Sequence, residues 1–184
     1  MPKVNGKAKG NRSELEVVKL LSESFKELFS RSPNSGGFGT SHARFLTKQV
    51  DTLFSGDVLC PTNFIFSIEN KSGYDIDISK IFTLKKVKSK LYEFIEQSSK
   101  DAVRVGLLPL VIYKRDYCDR IAILPYHNHS REKELKKLLK DKIKTYMIFH
   151  HKVEDSPWSK WVIITFEELL EKAQKSFFFD EKEN

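Results

Sequence analysis

Between Asn63 and Ser72 the chain reads Phe64-Ile65-Phe66-Ser67-Ile68-Glu69-Asn70-Lys71, and this run constrains the fold more than any other. In an extended strand successive side chains point to opposite faces. Phe64, Phe66 and Ile68 therefore share one face, and Ser67, Glu69 and Lys71 share the other. A strand divided in this way needs an apolar layer on one side. On the other it sets an acid and a base side by side. Upstream, Pro61-Thr62-Asn63 is a turn, and Asp57-Val58-Leu59 is a short strand that the turn folds back as a hairpin partner.

The rest of the chain supplies elements to pack on that strand. Ser13 to Phe29 reads as a helix, with Ser13 and Glu16 as an S-x-x-E capping box. Val18, Leu21, Phe25 and Leu28 form its inner stripe, and Glu14 projects from the same side. Capping accounts for Glu16, whereas Glu14 needs a reason to face inward. Residues 30–42 read as loop. Residues 43–55 read as a short helix or an irregular insertion. A second helix spans Leu84–Ala102, and strands follow at Leu107–Tyr113 and Arg120–Leu124. A basic amphipathic helix spans Arg131–Lys144, with further strands at Thr145–His150 and Trp161–Phe166 and a last helix at Glu167–Lys175. The order describes one α/β domain without repeats. Residues 1–12 read as a basic tail, 13–125 as the core and 126–184 as an extension packed on the same domain.

Fourteen Phe and six Tyr in 184 residues supply one packed core and exclude wholesale disorder. No apolar run approaches the roughly 20 residues of a membrane-spanning helix. The basic N-terminus has no apolar stretch behind it, so it is not a secretory signal. Cys60 and Cys118 lack metal spacing and cannot form a disulfide framework; they read as small buried hydrophobes in a reduced, cytoplasmic protein. Lys and Arg total 32 against 25 acids, a net charge of +7, and the first 13 residues hold Lys3, Lys7, Lys9 and Arg12 with no acid. Such a balance fits a polyanion, most commonly nucleic acid. The alternative is that Lys-rich helices are simply soluble faces.

Asp57 and Glu69 form the constellation with chemical content. Two strands side by side bring the carboxylates to one point, with Lys71 beside Glu69 and Glu14 arriving from the first helix. Phosphodiester hydrolysis needs a divalent cation to neutralise charge on the phosphate and to supply hydroxide near neutral pH. Hard cations such as Mg²⁺ take oxygen ligands. An ammonium at Lys71 holds the attacking water or the phosphate. The acidic-x-Lys triplet alone is weak, since it recurs at Glu134-Leu135-Lys136 and Asp180-Glu181-Lys182. Only the first lies on a strand with an Asp upstream. The competing reading is a cross-strand ion pair on a solvated sheet face, which is worth little.

Four segments occur in order: Lys9-Gly10-Asn11-Arg12-Ser13-Glu14, Arg31-Ser32-Pro33-Asn34-Ser35-Gly36, Gly56-Asp57 and Phe66-Ser67-Ile68-Glu69-Asn70-Lys71-Ser72. In this the chain resembles the PD-(D/E)xK nuclease superfamily, most closely the archaeal Holliday-junction resolvases and related phage-type endonucleases. Gln97-Ser98-Ser99-Lys100-Asp101-Ala102 resembles the family's second helix, and the resemblance covers residues 7–125. It implies a restriction-endonuclease-like core of helix, mixed β-sheet, helix and strand. It also implies a Mg²⁺-dependent DNA endonuclease, with Mn²⁺ as a substitute, acting as a homodimer on branched DNA. By that resemblance Asp57 and Glu69 bind Mg²⁺ with the Asn70 carbonyl, and Glu14 completes the shell directly or through water. Lys71 activates the water and Gln97 lies beside it. Ser35, Lys9, Arg12, Arg31, Lys85 and Lys86 are the DNA-contact candidates. Two departures stand out: Gly56 replaces the usual Pro, and residues 37–55 are longer than in the compact resolvases.

The rival within the class is a sequence-specific restriction or homing endonuclease, with residues 37–55 and 125–184 reading bases. A non-catalytic DNA-binding module is the rival of another class. His127-Asn128-His129 spells HNH but lacks that motif's wider constellation, and reads as a turn.

Overall fold

The computed structural model describes residues 6–32, 56–78, 81 and 89–180. Helix α1 spans Gly6–Phe25 and leads to β1 (Ser30–Arg31), which pairs antiparallel with β2 (Val58–Leu59). The central strand β3 (Phe66–Ser72) follows, then α2 (Lys90–Val105), β4 (Leu108–Lys114) and β5 (Ile121–Pro125). Helix α3 (Glu132–Asp141), β6 (Tyr146–His150), β7 (Lys160–Thr165), α4 (Phe166–Lys172) and α5 (Lys175–Phe178) complete the chain. Five strands form one mixed sheet in the order β3-β4-β5-β7-β6. The β3–β4 pair is parallel, joined through α2 as such pairs require, and the other pairs are antiparallel.

The two faces of the sheet bury separate apolar layers. On one, Val17, Leu21 and Phe25 of α1 pack with Phe64, Phe66 and Ile68, with Leu135, Leu138 and Leu139 of α3, and with Phe177, Phe178 and Phe179. On the other, Leu91, Phe94 and Ile95 of α2 pack with Val111, Tyr113, Ile123, Trp158 and Trp161. Phe178 and Phe179 belong to this core in backbone as well as side chain. Ile65 donates its N–H to the Phe178 carbonyl at 3.0 Å, and Phe64 bridges Phe179. No helix among the described residues is long and apolar enough to cross a membrane.

Several boundaries differ from the sequence expectation for identifiable reasons. Helix α1 starts at Gly6, so Ser13 lies inside it and is not a cap; its hydroxyl instead bonds Asn70. The basic stretch up to Arg12 is therefore helical from Gly6 onward. Glu16 is likewise no capping partner, but binds Arg12 and Arg120. The helix ends at Phe25, with Lys26 at φ 56°, which leaves Leu28 outside it and 85% exposed. The inner stripe is accordingly Val17, Leu21 and Phe25. Helix α2 runs on to Val105 and stops at Gly106, whose φ of 75° lets its N–H cap the Ala102 and Val103 carbonyls. Cys118 is exposed rather than buried, because it sits in the turn between β4 and β5. The expectations for residues 43–55 and for the helix start at Leu84 fall outside the described residues.

Candidate active site

Strand β3 is an edge of the five-stranded sheet, and Asp57 occupies that open edge. Gly56 bridges Ile68 in parallel sense, so the two segments are not the antiparallel hairpin that the turn suggested. The approach is close. A Cβ on Gly56 would stand 2.3 Å from the Ile68 carbonyl oxygen, and φ there is +86°. Glycine meets both demands, which gives a physical reason for Gly56 ahead of the acid.

Asp57 is then fixed on three sides. Its N–H donates to the Ile68 carbonyl at 2.8 Å, its own carbonyl accepts from Ser32 N at 3.0 Å, and its Oδ2 accepts from the Asn70 N–H at 2.8 Å. The carboxylate thus continues the hydrogen bonding of the edge, where a further strand would otherwise pair. Period two sends Glu69 and Lys71 to the α2 side of β3 and Asn70 to the α1 side. Lys71 Nζ donates to Glu69 Oε1, which also accepts from Gln97 Nε2 at 3.0 Å. The Lys71 ammonium sits 5.3 Å from the Phe94 ring centroid. On the other side the Asn70 amide pairs with the Ser13 hydroxyl, its Nδ2 lying 3.1 Å away.

Burial dominates the electrostatics. Asp57 and Glu69 are among the buried residues. Desolvation, with the Glu69 charge adding to it, raises the Asp57 pKa to about 7 against the Asn70 N–H and Lys71, which pull it down. Glu69 is raised in the same way, with Lys71 opposing and Asp101 and Glu14 contributing. For Lys71, burial works against the ammonium, but the Glu69 carboxylate, with Asp57 behind it, holds its pKa above the ordinary value. Two buried carboxylates that repel each other, one of them half-ionised near neutrality, are an oxygen donor set suited to a hard divalent cation. Asp57 and Glu69 are the residues able to hold one.

Glu14 takes another partner: Arg31 Nε donates to its Oε2 while Arg31 Nη2 donates to Asn11 Oδ1 at 2.9 Å. Its charge still adds a little to the raised pKa of both Asp57 and Glu69, after burial and the nearer charges. Among the described residues no three His, Cys, Asp or Glu side chains gather as a metal cluster. Arg12 is exposed and paired with Glu16. Ser35, Lys85 and Lys86 lie outside the described residues, as does the Lys9 side chain. His127–His129 forms the turn after β5, at the opposite end of the sheet from Lys71, and Asn128 Nδ2 donates to the Pro157 carbonyl.

The sequence assigns no role in the site to three further neighbours of these groups. Asp101 stands four residues after Gln97, one helical turn along the same face of α2. Phe94 reads as an inward position of the second helix and Ser13 as a helix cap. The i, i+4 spacing from Gln97 was the one available signal. The chain matches the family described as "Phage putative PDDEXK endonuclease" over residues 5–180. No curated protein matches it, and no solved structure does.

Proposed function

Because the chain belongs to this family of phage-type PD-(D/E)xK endonucleases, with a restriction-endonuclease-like α/β fold, we propose that it hydrolyses DNA phosphodiester bonds with a divalent cation, Mg²⁺ or in its place Mn²⁺. One observation carries the reading: Asp57 and Glu69 are buried beside Lys71 at an open sheet edge, each already fixed by a donor from the chain. A structural ion pair would not need Asp57, and a solvated sheet face would not bury Glu69.

A cation held by Asp57, Glu69 and the Asn70 carbonyl would neutralise charge on the phosphate and make hydroxide available near neutral pH. The chain's own groups prepare that event. The Asn70 N–H orients Asp57, and Gln97 Nε2 orients Glu69. With Glu69 engaged in holding the cation, the Lys71 ammonium now paired with it would be able to hold the attacking water or a phosphate oxygen. Arg31 pairs with Glu14 next to the site. Residues 13–125 serve as the catalytic core and 126–184 as an extension. Arg31, Lys9, Arg12, Ser35, Lys85 and Lys86 contact phosphates, which dominate such affinity. We take the favoured substrate to be branched DNA, cut by a cytoplasmic homodimer, because a junction presents two symmetric strands to a two-fold pair of sites.

The test is cleavage of a four-way junction, a matched linear duplex and a single strand with and without Mg²⁺, with Glu69→Ala beside the wild type. Metal-dependent junction cutting that disappears in the variant is expected. Activity in Glu69→Ala equal to the wild type would overturn the site.

A further inference from the structure

The register of the sheet fixes which turns stand beside the candidate site. Lys71 is opposite Tyr113 and Ser72 opposite Lys114, in parallel. The turn that leaves β4 for β5 therefore emerges at the same end of the sheet as Lys71. At its tip Tyr117 is fully exposed, with φ +61°. Four non-glycine residues among those described have positive φ, and Tyr117 is the one aromatic. Bulky side chains rarely adopt that conformation.

The frame beneath the ring is hydrogen-bonded. Cys118 N–H donates to the Arg115 carbonyl at 3.3 Å, and Lys114 Nζ binds the Cys118 carbonyl. Arg115 pairs with Asp75 at 2.9 Å. The Tyr113 hydroxyl donates to the Tyr74 carbonyl at 2.6 Å and accepts from Ile76 N at 3.3 Å. The turn is thus tied to the segment that directly follows Lys71. Its charges nearly balance, with Lys114, Arg115 and Arg120 against Asp116 and Asp119. What it offers a partner is a held-out π-face, not a phosphate-binding patch.

We propose that Tyr117 is a base-stacking element that selects DNA with unpaired or splayed bases beside the cleavage site. The inference deepens the nuclease reading and rests on it for its partner. A paired base is covered by its neighbours, so a projecting ring gains contact only where stacking is already interrupted, as at a branch point or fork.

The experiment measures equilibrium binding in EDTA to a fork with unpaired bases and to a matched duplex. Wild type, Tyr117→Phe, Tyr117→Ala and Tyr117→Asn are compared; Asn tolerates positive φ and so separates the ring from the backbone. Loss of the ring should weaken fork binding roughly 5- to 140-fold, the equivalent of about 1–3 kcal/mol per stacked base. Duplex binding and the salt dependence should stay unchanged, and Tyr117→Phe should behave as wild type. Equal fork affinity in all four proteins would overturn the proposal. So would parallel losses on fork and duplex. Wild-type protein that prefers forks through Tyr117 yet cuts nothing with Mg²⁺ or Mn²⁺ would refute the nuclease reading and leave the stacking role standing.

Discussion

Phe66 and Glu69 lie three residues apart on β3 and are 1% and 3% exposed, yet they enter the interior on opposite terms. The Phe66 ring meets Phe64, Phe177 and Phe178, with centroids 5.8–5.9 Å away. Burying such a ring is favourable by about 1.5–3 kcal/mol. Burying the Glu69 carboxylate is unfavourable, and its raised pKa records that. The α1 face of the strand therefore stabilises the fold, while the α2 face and edge hold charge that the fold alone would be better without. That contrast is expected of a site awaiting a cation and a polyanion.

The largest effect should come from the α1 face. Phe178→Ala removes a ring that Phe25, Phe64, Phe66 and Phe177 surround. It should lower stability by about 3–5 kcal/mol. At this size that is a drop in Tm of roughly 6–20 °C. Cleavage per folded molecule should not change. A loss below about 1 kcal/mol in urea unfolding would show that the phenylalanine layer is not what holds the fold.

Asp57→Asn should move stability the other way. The folded-state pKa of Asp57, about 7, is above its unfolded value, so the group favours folding only while it is protonated. That contribution is complete below about pH 4, where both states hold the proton. It is lost as the pH rises to about 7. Without metal, wild type should thus weaken between pH 4 and 7, by at most about 4 kcal/mol from this group. Asparagine keeps an oxygen for the Asn70 N–H and carries no charge, so the variant should have the flatter profile and the higher Tm at pH 8, and no cleavage. A variant less stable than wild type at pH 8 would erase the contrast between the faces.

How far these features could be read from sequence depends on which force specifies them. Period two exposed the Phe64, Phe66, Ile68 face and the Glu69, Lys71 face, because one interaction, burial, repeats along the strand. Phe177-Phe178-Phe179 carries no period, and an acidic run follows it, so nothing local tells core from frayed end. Helix α1 extends back through Gly6 and Gly10 against their low helix propensity. Tertiary bonds oppose that propensity: Asn11 is held by Arg31, and Ser13 by Asn70. The same bonds misled the capping reading, since Ser-x-x-Glu has one appearance in sequence whether or not Asn70 claims the serine. The sequence brings Asp57 near Glu69 through a hairpin, and the parallel approach that positions it is not legible there, because it depends on the φ of Gly56.

Gln97 offers a finer cut on the α2 face. Its side chain is exposed and makes the 3.0 Å bond to Glu69. Gln97→Ala should leave Tm within the small range usual for surface positions, about 0.5 kcal/mol. It should raise the Mg²⁺ concentration for half-maximal cleavage by roughly 10–100-fold, as loss of a ligand-orienting group does. A metal titration overlaying that of wild type would remove Gln97 from the site.

Ser13→Ala is the mirror of that variant, and the smallest change of the set. Both members of the Ser13–Asn70 pair are buried, and the hydroxyl is the partner of the Asn70 amide on the apolar side of β3. Alanine leaves that amide without its partner, which should lower stability by about 1–2 kcal/mol. The Asn70 backbone N–H, which holds Asp57, is untouched, so the metal midpoint should not move. Gln97→Ala then shifts metal dependence with stability intact, and Ser13→Ala shifts stability with metal dependence intact. If Ser13→Ala moved the metal midpoint tenfold, Asn70 would couple the two faces through its own backbone, and β3 would act as one unit, not as a wall with two independent sides.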